Sequence, residues 1–138
     1  MEQKKIKIAV IGCGGIANVR HLPAYQKLDA VELVAVCDIN IEKAKTTADE
    51  FGIPTYYEDY NEVLDIDGLD AVDICTPNYL HSQIAVKALE NGINVFCEKP
   101  DAVSVAEADK MKAAAEASGK VLMVMRNNRY MPCSRFVK

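Results

Sequence analysis

"IAVIGCGGIANVR", Ile8–Arg20, is the most informative stretch of this 138-residue chain for its architecture. It passes from an apolar run, typical of a buried strand, through a cluster of glycines into residues at helical spacing. In the pattern Gly12-x-Gly14-x-x-Ala17, Gly12 permits a tight turn, Gly14 lets a ligand approach the backbone, and the small Ala17 lets helix and strand pack closely. The stretch therefore predicts a strand, a glycine turn and a helix.

The remaining sequence continues this alternation of strand and helix. Apolar runs of strand length occupy residues 6–11, 31–37, 54–57, 70–75, 94–97 and 120–125. The segments between them carry apolar residues at helical spacing, and several runs are apolar almost throughout, as expected of parallel strands covered on both faces. The predicted fold class is therefore α/β, with a doubly wound, mostly parallel sheet.

Two features of the predicted helices follow from single residues. Pro23 should break or kink the first helix around His21 and Leu22, because proline lacks an N–H and disfavours the helical conformation before it. We expect the last helix to pack on the sheet through one apolar stripe. That stripe consists of Val105, Ala108, Met111 and Ala115.

The composition is that of one globular domain, with 50% hydrophobic residues, 26% charged residues and a net charge of -4. With no basic run beyond Lys4-Lys5, the sequence shows no electrostatic footprint for nucleic acid. No apolar run approaches the ~20 residues of a membrane span, and the start "MEQKKIKIAV" lacks the features of a signal peptide. The expected location is the cytoplasm, with neither nucleic acid nor membrane as a partner.

The cysteines favour a reduced protein, because five of them occur without a C-x-x-C pair. Four fall at or just past the ends of predicted strands, which should gather them at one edge of the sheet: Cys13, Cys37, Cys75 and Cys97. A metal or redox role is the alternative to the packing of small side chains at tight strand ends. We assign no metal ligand.

The glycine turn has the spacing with which a strand-turn-helix unit binds the pyrophosphate of a dinucleotide. The N-terminus of the following helix offers unpaired N–H groups and a favourable dipole to the phosphates. The alternative is a turn that binds no ligand, because the pattern alone has low specificity. The predicted contacts in this turn are Gly12, Gly14, Gly15 and Ile16.

The second predicted strand ends at Asp38, about 20 residues past the glycine turn, where a ribose-binding carboxylate is expected. Asp38 would accept hydrogen bonds from the adenosine ribose hydroxyls. Its alternative role is to cap the helix that begins near Ile41, which Asn40 could do equally well. Because the carboxylate would repel a 2′-phosphate, NAD is favoured over NADP as the cofactor.

"CTPNYLH", Cys75–His81, leaves the fourth predicted strand where strand order reverses in a doubly wound sheet, and ligands bind in that crevice. The predicted cofactor contacts here are Thr76, Pro77, Asn78 and His81. Asn78 could also cap the next helix. The alternative is an ordinary strand-to-helix loop with one exposed histidine.

Taken together, "GCGGIA", Asp38, "CTPNYLH" and "EKP" at Glu98–Pro100 resemble the glucose-fructose oxidoreductase, inositol dehydrogenase and MocA family. The resemblance extends from Lys5 to Pro132. It implies a Rossmann fold that forms the N-terminal domain of a two-domain enzyme. It also implies that the "EKP" residues lie at the nicotinamide end of the cofactor, with Lys99 as a catalytic group.

The chemistry implied for Lys99 is that of alcohol oxidation, in which hydride and proton leave together. An ammonium at the end of the fifth strand can orient the hydroxyl and stabilise negative charge that develops on its oxygen. Glu98 would hold Lys99 or a ribose hydroxyl in place, and a cis Lys99–Pro100 bond is compatible with the resemblance. The alternative is a solvated salt bridge between Glu98 and Lys99.

The resemblance implies a division of the chain into residues 1–126, the dinucleotide-binding domain, and residues 127–138, the start of a connection to a second domain. That domain would supply most substrate contacts and a histidine proton acceptor, so we expect this chain alone to lack turnover. The implied substrate is a sugar, cyclitol or related polyol, and any homo-oligomer would form through the second domain. The alternatives are a non-catalytic dinucleotide sensor or scaffold, and a methyltransferase that uses the same glycine turn.

Overall fold

Six parallel strands form one sheet in the computed structural model, which describes residues 3–125. The strands are β1 (Ile6–Ile11), β2 (Val31–Cys37), β3 (Thr55–Tyr57), β4 (Ala71–Ile74), β5 (Asn94–Cys97) and β6 (Leu122–Val124). Their order in the sheet is β3-β2-β1-β4-β5-β6, and each neighbouring pair is parallel. The order reverses between β1 and β4, which confirms the predicted doubly wound α/β sheet.

Helical segments join the strands. They are a π-helical turn (Ala17–His21), α1 (Leu22–Gln26), α2 (Ile41–Phe51), α3 (Tyr60–Leu64), a 3₁₀ turn (Asn78–Leu80), α4 (His81–Glu90) and α5 (Val105–Ser118). The predicted runs for β1, β2 and β5 match the observed strands residue for residue. The strands β3, β4 and β6 are shorter than predicted, because pairing with the neighbouring strand covers only part of each predicted run.

The two faces of the sheet bury separate apolar clusters. Side chains alternate along a strand, so Ala9 and Ile11 of β1 face one cluster while Val10 faces the other. The first cluster includes residues of α3, α4 and α5, and the second includes residues of α2 and the Ala17–Gln26 segment. Burial of each large side chain, such as the fully buried Leu22, contributes about 1.5–3 kcal/mol.

The predicted stripe on α5 is correct in its middle and wrong at its start. Met111 is buried, but the Val105 side chain is 79% exposed. Each three-residue step turns about 60° backwards around a helix, so two steps place Val105 roughly 120° from Met111. Ala114, which the stripe omitted, lies on the buried face instead.

Pro23 lies next to a change of hydrogen-bond pattern in the first helical segment, but the predicted break is not seen, because the backbone stays helical at His21 and Leu22. The turn Ala17–His21 is π-helical, with the Leu22 N–H donating to the Ala17 carbonyl, and Pro23 then occupies the first turn of α1. Because proline has no N–H to donate, the hydrogen-bond pattern changes at this point. His21, the last residue of this turn, lies in the protein interior and is 4% exposed.

The carboxyl ends of the strands form the edge at which the predicted site residues gather. The four cysteines at this edge are free and buried, which confirms that they would collect there: Cys13, Cys37, Cys75 and Cys97. Within residues 3–125, no helix is both long and apolar enough to cross a membrane. The segment 127–138, predicted to lead to a second domain, lies outside the described residues.

Candidate functional site

A cleft of about 500 Å³ opens at the carboxyl ends of β1, β2 and β4. Its position is the crevice beside the reversal of strand order, and its volume lies within the range of small-molecule sites. Seven of the predicted cofactor residues line it: Gly12, Gly14, Gly15, Ile16, Asp38, Thr76 and Pro77. Four others do not appear in its lining: Asn78, His81, Glu98 and Lys99.

Gly12 joins the glycine turn to the loop after β4. Its φ of +102° lies in the region that favours glycine, and a Cβ there would stand 2.6 Å from the carbonyl carbon and oxygen of Cys75. By contrast, a Cβ on Gly14 or Gly15 would meet nothing within 4 Å. The turn therefore packs tightly against the protein at Gly12 and leaves open space at Gly14 and Gly15, where a ligand could approach the backbone.

Asn18 holds the shape of the glycine turn and was not identified from the sequence. Its side-chain amide donates to the carbonyl oxygens of Cys13 at 2.8 Å and Gly14 at 2.9 Å. The Asn18 amide thus gives these two carbonyl groups of the turn a hydrogen-bond donor from the helix that follows. The signal in the sequence is weak, since it consists of one short amide in the first helical turn after the glycines.

Asp38 lies at the end of β2 and faces the glycine turn. Its Oδ2 accepts from the Cys13 N–H at 2.9 Å, and its Oδ1 accepts from the Asn40 N–H at 2.8 Å. Asn40 is the residue that caps α2, because its side chain accepts from the N–H groups of Glu42 and Lys43. The capping role therefore belongs to Asn40, and each Asp38 oxygen retains a lone pair for a further donor.

Thr76 and Pro77 line the cleft, while Asn78 begins the 3₁₀ turn and is exposed. The prediction that Asn78 caps the following helix is wrong. The residue with the extended conformation before the turn is Pro77, and the structure shows no side-chain cap at either this turn or α4.

His81 lies beneath this loop and is fully buried, so the alternative of an exposed histidine is wrong. Its Nδ1 is 2.7 Å from the Pro100 carbonyl oxygen, and its Nε2 is 2.9 Å from the Thr76 carbonyl oxygen. Both partners are carbonyl oxygens and can only accept, so each of these contacts is a hydrogen bond when the facing ring nitrogen carries its proton. His81 thus braces the loop after β4 against the loop after β5.

Glu98 and Lys99 follow β5 and differ sharply in exposure. Glu98 is 8% exposed, whereas Lys99 is an exposed residue, and the Lys99–Pro100 peptide bond is cis. The Glu98 Oε2 accepts from the backbone N–H of Lys99 at 3.2 Å. Among the ion pairs of residues 3–125 there is none between Glu98 and Lys99, so the alternative of a salt bridge between them is not seen in this part of the chain.

A buried polar cluster lies behind this edge; we call it the His21 cluster, and it comprises His21, Tyr25, Asp73 and Glu98. The His21 Nδ1 is 2.5 Å from Asp73 Oδ2, and its Nε2 is 2.6 Å from Glu98 Oε1. The Tyr25 hydroxyl donates to the same Asp73 oxygen at 2.7 Å. Sequence reasoning missed this cluster, although an acid within the apolar run "AVDI" was a signal that a buried partner exists.

Ionisation of His21 depends on two opposing effects. Burial lowers the pKa of the imidazole, but hydrogen bonds and charge interactions with Asp73 and Glu98 outweigh it and raise the pKa above the usual 6.5. Burial and the neighbouring Asp73 carboxylate raise the pKa of the Tyr25 hydroxyl. Tyr25 therefore stays neutral and donates, while His21 favours the cationic form.

The raised pKa of His21 predicts a pH-dependent stability. A cationic His21 stabilises the fold fully below pH 6.5, and this contribution is lost as pH rises through the raised folded pKa. The free energy of unfolding should therefore decrease as pH rises above 6.5, by at most about 1.4 kcal/mol per pH unit from this group, until the folded-state pKa is passed. Urea unfolding of the chain and of His21→Gln checks this, because their stability difference should narrow as pH rises; parallel curves would contradict it.

The cysteine thiols at the edge are unsuited to metal or redox chemistry as thiolates. Burial, followed by nearby acids, raises the pKa of Cys13 to about 11 and that of Cys97 to about 12. Ligand atoms of His21, Asp73 and Cys75 lie within 4.8 Å of one another. However, both nitrogens of His21 already face carboxylates, and burial raises the pKa of the Cys75 thiol as well. These observations favour packing over metal binding.

Residues 6–126 match the sequence profile of the Gfo/Idh/MocA oxidoreductase family, described as having an NAD-binding Rossmann fold. The chain is 37% identical over 134 residues to D-apiose dehydrogenase from Paraburkholderia graminis. That alignment covers 97% of this chain and 36% of the dehydrogenase. The chain therefore spans little more than a third of this relative.

Two solved structures extend the similarity to three dimensions. The WlbA dehydrogenase from Chromobacterium violaceum, in complex with NADH and UDP-GlcNAcA, superimposes with a TM-score of 0.93 and 32% identity over 100% of this chain and 40% of its own. The 3-ketoreductase KijD10 from Actinomadura kijaniata, in complex with TDP-benzene and NADP, gives a TM-score of 0.89 and 32% identity over 97% of this chain and 42% of its own. The sheet and its glycine turn thus match folds that hold nicotinamide dinucleotides.

Proposed function

We infer the function from one premise: this chain belongs to the Gfo/Idh/MocA oxidoreductase family, whose profile describes an NAD-binding Rossmann fold. We propose that residues 1–126 bind the nicotinamide dinucleotide of a dehydrogenase and present Lys99 to its substrate. Residues 127–138 then lead to a second domain that holds the substrate. The observation that carries this proposal is the cleft that brings the open glycine turn, Asp38 and the loop after β4 together.

The residues of the cleft fit a dinucleotide. The space at Gly14 and Gly15 admits a pyrophosphate against the backbone, and Asp38 keeps acceptor capacity for ribose hydroxyls. When bound, the nicotinamide ring supplies hydride transfer to or from a carbon atom of the substrate. The protein supplies the shape of the turn, through Gly12 and Asn18, and the position of the acid.

Lys99 is the group proposed to act on the substrate oxygen. It follows β5 at the same edge of the sheet as the cleft, is exposed, and has no ion pair within residues 3–125. An ammonium in this position can orient a hydroxyl and stabilise negative charge on its oxygen as hydride leaves the carbon. Such a group has no purpose in a dinucleotide sensor, which makes the catalytic proposal the better supported one.

The proposed substrate class is a sugar, cyclitol or related polyol. The similarity to D-apiose dehydrogenase supports it, as does the sugar-nucleotide complex of the WlbA dehydrogenase. The test is NAD reduction by the full-length protein over a panel of pentoses, hexoses and inositols, with the 138-residue chain beside it. We expect turnover by the full-length protein alone; turnover by the isolated chain, or none with any polyol while NADH still binds, would contradict the proposal.

Of the two cofactors, we propose NAD. The similar structures hold NADH in one case and NADP in the other, so the choice rests on Asp38, whose carboxylate would repel a 2′-phosphate. We also propose that the protein is cytoplasmic, which is supported by the free, buried cysteines of the described residues. Any self-association would take place through the second domain.

Asp38→Ala should weaken NADH binding by about 10- to 100-fold, because hydrogen bonds to a charged acceptor contribute about 1.5–3 kcal/mol. NADPH binding should weaken less or improve, so the preference for NADH falls. Calorimetric titration of the unmodified chain and of Asp38→Ala, each with NADH and with NADPH, measures these affinities. Asp59→Ala is the matched control, since Asp59 is an acidic cap of α3 outside the cleft lining. Equal affinity of the unmodified chain for NADH and NADPH would count against the assignment.

A further inference from the structure

The His21 cluster connects three parts of the chain that are distant in sequence. His21 and Tyr25 are four residues apart and share one face of the first helical segment. Asp73 comes from β4, and Glu98 follows β5. All four are buried or half-buried, and the cluster lies directly behind the exposed Lys99.

The hydrogen bonds of the cluster restrict its protonation. Asp73 Oδ2 accepts from the Tyr25 hydroxyl and also faces the His21 Nδ1, so this oxygen acts as an acceptor towards both residues. Glu98 Oε2 accepts from the Lys99 N–H, while its Oε1 faces the His21 Nε2. A neutral imidazole has one N–H and cannot donate to both acids. An imidazolium satisfies both contacts.

Glu98 links the cluster to Lys99, the residue that follows it. Its backbone N–H donates to the Ile74 carbonyl at 2.9 Å, and its carboxylate caps the Lys99 N–H at 3.2 Å. The side chain of Glu98 is therefore held at one oxygen by His21 and holds Lys99 with the other. Neither His21 nor Glu98 belongs to the lining of the cleft.

We propose that His21 is a positioning residue for Lys99: as an imidazolium between Asp73 and Glu98, it fixes the Glu98 carboxylate that orients the Lys99 backbone. This inference rests on the proposed function of Lys99. Four titratable groups surround the imidazole in the described residues. Asp73 and Glu98 contact its nitrogens, and the neutral Tyr25 hydroxyl and Cys75 thiol lie beside them, the thiol 3.5 Å from Nδ1. The tilted Phe96 ring closes one side, 5.9 Å away between ring centroids.

The proposal is tested first on the unaltered chain. NMR of the histidine side chains at pH 7.5 should show both ring nitrogens of His21 protonated, with slow exchange of those protons. A single protonated nitrogen on His21 at this pH would overturn the proposal. This measurement does not depend on any variant folding or on the activity of Lys99.

Kinetics of the full-length protein give the second test. His21→Gln should lower kcat by about 10- to 100-fold, as expected when a catalytic group is displaced by about 1 Å. The NADH dissociation constant should stay within about threefold, because the cleft residues are untouched. The matched control is Gln26→Ala, which removes an exposed side chain from the end of the same helical segment that donates to the Phe51 carbonyl, outside the His21 cluster. Its kcat should stay within about threefold.

Glu98→Gln keeps the proposal testable if His21→Gln does not fold. Glutamine preserves the size of the side chain and an oxygen for His21, but its amide nitrogen cannot accept from the Lys99 N–H. It should lower kcat to a similar extent with NADH affinity retained. Normal kcat in both variants, while Lys99→Met is impaired, would overturn the positioning role alone. A normal kcat in Lys99→Met would overturn the proposed function instead.

Discussion

Replacing Lys99 by methionine should lower kcat of the full-length protein by about 10²- to 10⁴-fold, which corresponds to roughly 3–5 kcal/mol of transition-state stabilisation. Methionine keeps much of the bulk of the lysine stem and removes the charge that would stabilise the substrate oxygen. NADH affinity should change much less, because the glycine turn and Asp38 remain. Steady-state kinetics and an NADH titration on the same variant measure both quantities.

A purely structural role for Lys99 predicts the opposite pattern. A surface salt bridge contributes only about 0–1 kcal/mol, and the Glu98 carboxylate is already bonded to His21 and to a backbone N–H. The matched control is Lys112→Met, which removes an exposed lysine on α5 whose ion-pair partner is Glu116 of the same helix. Near-normal kcat in Lys99→Met would end the catalytic interpretation, and loss of NADH binding would make Lys99 a cofactor ligand.

Gly12→Ala should lower the free energy of unfolding by about 2–5 kcal/mol, because two separate penalties apply. The φ of +102° is strained for any residue with a Cβ, and that Cβ would lie 2.6 Å from the Cys75 backbone and 2.9 Å from the Thr76 nitrogen. Relief would require the turn and the loop after β4 to separate. Urea unfolding measures the loss, and an unchanged midpoint would contradict the described contact.

Gly14→Ala is the matched control, since its Cβ would meet nothing within 4 Å. Its stability should change by no more than about 1 kcal/mol. If a pyrophosphate lies against this part of the turn, however, the added methyl should weaken NADH binding. The pair of variants thus separates the glycine that the fold needs from the glycine that the ligand needs.

The parts of the fold that depend on local pattern were predictable. Apolar runs gave β1, β2 and β5 their bounds, and Pro23 indicated an irregularity where the structure changes from the π-helical turn to α1 without a break. The exposure of Val105 was not predictable from its neighbours, because a stripe drifts around the helix with each three-residue step. The helix axis relative to the sheet decides which edge of the stripe is buried.

The parts of the site that depend on short sequence motifs were predictable. The contacts between side chains from different strands and helices were not. The glycine spacing and the strand-end position of Asp38 are local signals. The partners of His21 lie 52 and 77 residues away, so their meeting depends on strand order and register. Glu98 was expected to face Lys99 or a ribose; one of its oxygens accepts from the Lys99 N–H, and the other faces His21, which the sequence did not indicate.

The most direct test of the account is an NMR titration of the isotope-labelled 138-residue chain with NADH. Binding should be saturable, and the largest amide shifts should fall on the residues of the cleft: Gly14, Gly15, Ile16, Asp38 and Thr76. The amides of α5, none of whose residues line the cleft, should remain unchanged. A cooperatively folded chain that shows no shifts up to about 1 mM NADH, or shifts centred away from the glycine turn, would contradict the claim that this is a dinucleotide-binding domain.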